Sequence, residues 1–129
     1  MKILNIHGYN GSSKNSAYEA LCKLGHEVVS PTIIYDNNDP YNILNELKNI
    51  VNRYRPDIIV GTSLGGFYAT LLQEQTSQQV FLVNPCLMPH LYLQKIGYPA
   101  VANVLGKYIS AFGLISTVKT PMFSVIVGL

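Results

Sequence analysis

The sequence predicts an α/β fold, with three layers α/β/α around a mainly parallel sheet of about five strands. Short apolar runs rich in β-formers alternate with segments of helical period, and Gly or Pro marks most junctions. Strands that alternate with helices need crossover connections, so they pair in parallel and are covered on both faces. A chain of 129 residues that is 48% hydrophobic is the right size for one core. Residues 1–129 therefore read as a single domain, without internal repeat, low-complexity tract or linker.

The first strand is Lys2-Ile3-Leu4-Asn5-Ile6, which runs into a turn at His7-Gly8. A helix over 15–24 follows, with Ser16 and Glu19 spaced as a capping box and Gly25 at the left-handed position after its end. Residues 27–30 form a second strand, and Pro31 punctuates its exit. Asp39 as N-cap and Pro40 at the first helical position open the clearest helix. Its apolar residues Ile43, Leu44, Leu47, Ile50, Val51 and Tyr54 recur at helical spacing until Pro56 ends it. A strand over 57–61 then leads through a tight turn into a helix over 64–75. A fourth strand covers 80–84 and closes at Pro85. Residues 89–117 read as helical and irregular, with no clean apolar stripe, so a cap or lid is expected over about 86–118. Residues 122–127 give a fifth strand.

Composition excludes several function classes. Nine basic and seven acidic residues leave a net charge of +2, too small for an electrostatic footprint on nucleic acid or an anionic membrane. The two cysteines, Cys22 and Cys86, lie far apart without a metal-ligand spacing, and no Cys/His cluster accompanies them. We expect no metal, no cofactor and two reduced thiols. Gly8 directly follows the first apolar run, which does not fit an export signal, and polar residues interrupt 100–118 short of a membrane span. A cytoplasmic protein that contacts neither nucleic acid nor membrane is the expectation.

The residues that carry chemistry stand at Gly61-Thr62-Ser63-Leu64-Gly65, a G-x-S-x-G pattern between an expected strand and an expected helix. Such an elbow strains the serine and lifts its hydroxyl clear of the sheet, and small neighbours let strand and helix approach closely. Gly61, Gly65 and Gly66 supply that space, which makes Ser63 the candidate nucleophile. A serine that merely caps the helix is the plain alternative. Acyl transfer also needs donors aimed at the developing oxyanion. The N–H of Leu64, at the start of the helix, is one candidate. The N–H of Tyr9, in the loop His7-Gly8-Tyr9-Asn10-Gly11-Ser12, is the other, against the alternative of an ordinary turn.

Three segments in order, His7-Gly8-Tyr9-Asn10-Gly11-Ser12-Ser13, Gly61-Thr62-Ser63-Leu64-Gly65-Gly66-Phe67-Tyr68-Ala69-Thr70 and Asn84-Pro85-Cys86-Leu87-Met88-Pro89, resemble successive signatures of the YqiA-like small bacterial esterases of the α/β-hydrolase fold. The resemblance implies a Ser63 nucleophile, Tyr9 and Leu64 as oxyanion donors, and hydrolysis of small acyl esters. It covers essentially the whole chain but only about the first two-thirds of such a domain, so a truncated α/β-hydrolase is expected. In the family the fifth strand leads to the acid, and a later strand precedes the histidine; neither has a counterpart in this sequence. Cys86 and Met88 depart from the small residue and the arginine that the third signature implies.

A serine hydroxyl needs an adjacent base. His7 belongs to the oxyanion loop, where fixing backbone is its expected role, and His26 precedes the second strand at the far end of the sheet. His90 follows the fourth strand on the elbow side. Among the acids, Glu74 is roughly 15 Å up its helix, Asp57 enters its strand at the far end, Asp39 caps a helix and Asp36 sits in a solvated turn. No complete triad can be assembled. The expected function is a serine carboxylesterase, impaired in this chain; the alternatives are a non-catalytic hydrolase-like fragment or a nucleotide-binding α/β protein. The last fails on spacing, because Ser13 and Asn15 flank Lys14 where a P-loop needs glycine and Ser/Thr. An apolar, uncharged strand at 122–127 further suggests a homo-oligomer formed through its edge.

Overall fold

A computed structural model describes residues 1–76, 78–112 and 123–126. The fold is α/β. Four strands, β1 (Lys2–Ile6), β2 (Glu27–Val29), β3 (Ile58–Thr62) and β4 (Gln79–Val83), lie in the longer described stretches, and β5 (Phe123–Ile126) adds a fifth. Their order is β2-β1-β3-β4-β5, and every pairing is parallel. Among the described residues β5 borders β4 alone, while Met122 and Val127, the ends of the expected strand, lie outside them.

Helix α1 (Ser16–Lys23) corrects the expected capping box. Asn15 is the N-cap: its side-chain oxygen accepts from Tyr18 N–H at 3.0 Å, its carbonyl accepts from Glu19 N–H at 3.0 Å, and Ser16 is already helical. Amide and hydroxyl caps compete for one position, and here the asparagine holds it. At the other end Gly25 takes the left-handed conformation with φ 86, while Gly25 N–H and His26 N–H bond back to Cys22 and Leu21 carbonyls. Helix α2 (Pro40–Tyr54) has Asp39 as its cap, accepting from Tyr41 N–H at 2.8 Å, and buries Ile43, Leu44, Leu47 and Val51 along one stripe.

Alternation along the strands separates two sheet faces. Leu4, Ile6, Ile59, Val80 and Leu82 join the buried cluster with side chains of α2, of α3 (Leu64–Thr76) and of α5 (Pro99–Phe112). Ile3, Ile58, Val60, Phe81 and Val83 point the other way, into an apolar groove of about 650 Å³ that α1 borders through Ala17, Ala20 and Leu21. Among the described residues α1 is the one helix that lines this second face.

The cap segment is more ordered than its sequence suggested. It forms α4 (Pro89–Lys95) and α5, and α5 carries a stripe after all: Ala102, Leu105 and Ile109 are buried and belong to the central core. Exposed Val104 on the outer side obscures that stripe in the sequence. Residues 113–118 of the expected cap lie outside the described ones.

Candidate active site

Ser63 stands alone between the last residue of β3 and the first of α3, with φ 52, in the region that side-chain-bearing residues seldom occupy. Several bonds hold it there. Its N–H donates to Val83 carbonyl at 3.0 Å, and its carbonyl accepts from Gly66 N–H at 2.9 Å and from Cys86 N–H at 3.0 Å. The end of β4 therefore nails down the peptide planes on both sides of the serine. Gly61 and Gly65 make the corner possible: a Cβ on Gly65 would lie 2.7 Å from His7 carbonyl oxygen, and one on Gly61 would lie 2.8 Å from Ala69 Cβ. Only a residue without Cβ lets α3 start this close to β1.

The loop after β1 reaches the same corner. Gly8 presses on the serine, since a Cβ placed there would be 3.1 Å from Ser63 Cβ and 3.6 Å from its Oγ. Gly8 carbonyl accepts from the ring Nδ1 of buried His7 at 2.7 Å and from Gly11 N–H at 3.0 Å. A trans peptide directs its N–H opposite to its carbonyl, so these two bonds orient the peptide that carries Tyr9 N–H within the loop. Ile33 N–H donates to His7 Nε2 at 2.9 Å. An imidazole that accepts at Nε2 and donates at Nδ1 is neutral with both nitrogens used, so His7 is a scaffold for backbone and has no capacity left to act as a base. Tyr35 completes the support by donating from its hydroxyl to His7 carbonyl at 2.5 Å, and its burial holds that phenol well above the ordinary range.

Leu64, the other expected oxyanion residue, opens α3 with its side chain buried. By position its N–H has no partner within the helix. Gly66 packs on Pro85, 3.1 Å from where its Cβ would be.

The groove at Ser63 has a volume of about 650 Å³ and is lined by Thr62, Asn84, Pro85, Cys86, Leu87, Met88 and Tyr92. No imidazole or carboxylate is among these residues. His90 lines a different groove, with Gln94, Asn103 and Lys107 between α4 and α5, and its Nδ1 is buried without a hydrogen-bond partner among the described residues. His26 bonds through Nδ1 to the amino terminus at 3.1 Å, and Asp57 accepts from Lys2 N–H at 2.8 Å. Both thus stand beside the beginning of β1, at the end of the sheet remote from the elbow. Cys86, with its thiol pushed up to about 11 by burial, is in the groove as a neutral wall.

Several supporting residues escape sequence reading. Asp36 does more than face solvent: it accepts from Tyr9 hydroxyl at 2.5 Å and raises that phenol to about 12, chiefly through this bond. Asn5, buried in the middle of β1, donates to Asn15 and to Ser30, each at 3.0 Å, tying both edges of the loop system together. A polar residue inside an apolar strand is the signal that could have found Asn5; nothing local marks Asp36.

The family model described as an uncharacterised protein family, UPF0227, matches residues 2–110. The chain belongs to this family. UPF0227 is the YqiA-like esterase family, in agreement with the resemblance carried by the three motifs. A search of curated proteins finds no match. Membership in UPF0227 is only weakly consistent with a hydrolase and identifies no catalytic residue. Among the described residues, no helix is long and apolar enough to cross a membrane.

Proposed function

We propose that this UPF0227 chain carries the nucleophile and oxyanion elements of a serine carboxylester hydrolase acting on small acyl esters. The observation that carries the reading is the conformation of Ser63: φ 52 at the strand-to-helix junction, with the Gly8 peptide packed against it. Strain of this kind costs on the order of 1–3 kcal/mol and persists where the surroundings over-determine it. Here bonds from Val83, Gly66 and Cys86 do so.

In this reading Ser63 Oγ attacks the ester carbonyl carbon. The carbonyl π pair moves to oxygen, where Leu64 N–H and Tyr9 N–H stabilise the charge, and the Oγ proton passes to a base. Collapse of the tetrahedral species expels the alkoxide, which is protonated, and water then hydrolyses the acyl serine by the same route. Preorganised donors are worth a factor of about 10²–10³ each, and they can sustain residual turnover on the order of 10³-fold over water without a complete triad. Among the described residues no imidazole or carboxylate lines the Ser63 groove, so in this reading the Oγ proton passes to solvent hydroxide or water.

The same absence favours a second reading, a hydrolase-like domain that binds an acyl compound without turning it over. Hydrolysis of p-nitrophenyl acetate separates the two. The first expects slow turnover that Ser63→Ala abolishes and that keeps rising with pH above 7 rather than levelling off. Equal rates for the two chains would leave only the binding reading.

A further inference from the structure

Tyr9 and Asn10 are the central residues of the turn closed by Gly11 N–H on Gly8 carbonyl, and both end on one side chain of the cap, Tyr98. Asn10 Nδ2 donates to Tyr98 hydroxyl at 3.1 Å. The rings of Tyr9 and Tyr98 meet edge to face with centroids 4.8 Å apart. Tyr9 is held at its far end by Asp36, so its ring is fixed at two points.

Tyr98 is itself well anchored. It occupies the corner between α4 and α5, directly after Gly97 at φ 100, and its N–H donates to the carbonyl of buried Leu93 at 2.8 Å. Its own carbonyl accepts from Ala102 N–H at 3.1 Å, which starts α5. The hydroxyl and ring of Tyr98 therefore report the position of the cap to the turn. Asn10 is in the left-handed region with φ 56, which asparagine tolerates at this turn position, so the placement of the turn relative to Ser63 depends on the bonds and contacts its side chains make.

We infer that Tyr98 is a positioning residue through which the cap sets the direction of Tyr9 N–H. The inference rests on the esterase reading above. Without Tyr98, Asn10 loses its bond acceptor and Tyr9 one wall, and the turn can shift relative to Ser63. A displacement of about 1 Å at a reacting centre is enough for a loss on the order of 10²-fold, and partial loosening costs less.

The test measures kcat and KM for p-nitrophenyl acetate on the 129-residue chain and on Ser63→Ala, Tyr98→Phe and Tyr98→Leu. The expected result is no turnover in Ser63→Ala. Tyr98→Leu should lose kcat by about tenfold with KM held within about twofold, and Tyr98→Phe, which keeps the ring, should fall between it and the parent. If Tyr98→Leu does not fold, Tyr98→Phe carries the test through its missing hydroxyl alone. A Tyr98 that only docks the cap would raise KM or lower Tm and leave kcat unchanged in both variants, which overturns the inference while the esterase reading stands. Turnover that survives in Ser63→Ala overturns both.

Discussion

At the scale of single residues, environment rather than identity separates the roles. His7 and His90 are both histidines near the elbow end of the sheet in sequence order, yet one spends both ring nitrogens on backbone groups and the other opens into a separate groove. The two cysteines differ in the same way. Cys22 is exposed on α1, whereas Cys86 is buried beside Ser63 with its thiol raised to about 11 by desolvation. The thiolate is the reacting form, and at pH 8 a thiol of that acidity is ionised only to about one part in 10³. Titration with a disulfide reagent at pH 8 should accordingly show one fast thiol per chain; two fast thiols would contradict the burial of Cys86. The strand-to-helix corner at Ser63 and the close approach at its glycines were legible because a pattern and its strand-to-helix setting coincide. Asp36 and Tyr98 were not, since they reach the Tyr9 loop from 27 and 89 positions away in the chain and act through contacts that no local pattern encodes.

At the scale of elements, close approach dominates. Helix α3 starts against β1 only because residue 65 lacks a Cβ. Gly65→Ala would drive a methyl group into the carbonyl oxygens of Ile6 and His7, neither of which can yield without moving β1. Overpacking against backbone should cost about 3 kcal/mol, the upper end of its usual range. Gly25→Ala is the matched control: nothing stands within 4 Å of its Cβ position, so only the strain of φ 86 remains, about 1–2 kcal/mol. Urea unfolding of both variants checks the order, and equal losses would show that α3 can slide away from β1. Helix α2 was readable from Asp39, Pro40 and its stripe because cap, first turn and period agree. The segment of helix α5 read as helical, but its stripe was missed since its buried Ala102, Leu105 and Ile109 are interleaved with exposed apolar Val104, which blurs the period.

At the scale of the whole molecule, the helices α2, α3 and α5 crowd one face of the sheet and leave the other to α1 among the described residues. Parallel strands are normally covered on both faces, and among the described residues the apolar groove of about 650 Å³ over β1, β3 and β4 is surface that favours association. Sedimentation at several concentrations should show growing self-association; a monomer throughout would mean that this surface is covered. Parallel pairing followed from the alternation of elements, whereas the strand order and the uneven covering of the two faces depend on which way each crossover packs, and no local pattern reveals that. The central claim, that Ser63 is an activated-ester nucleophile, is tested most directly by reacting the intact chain with a fluorophosphonate and mapping the adduct by mass spectrometry. The account predicts one phosphonyl group, on Ser63 and lost in Ser63→Ala; an unmodified Ser63, or an adduct spread over other hydroxyls at the same rate, would contradict it.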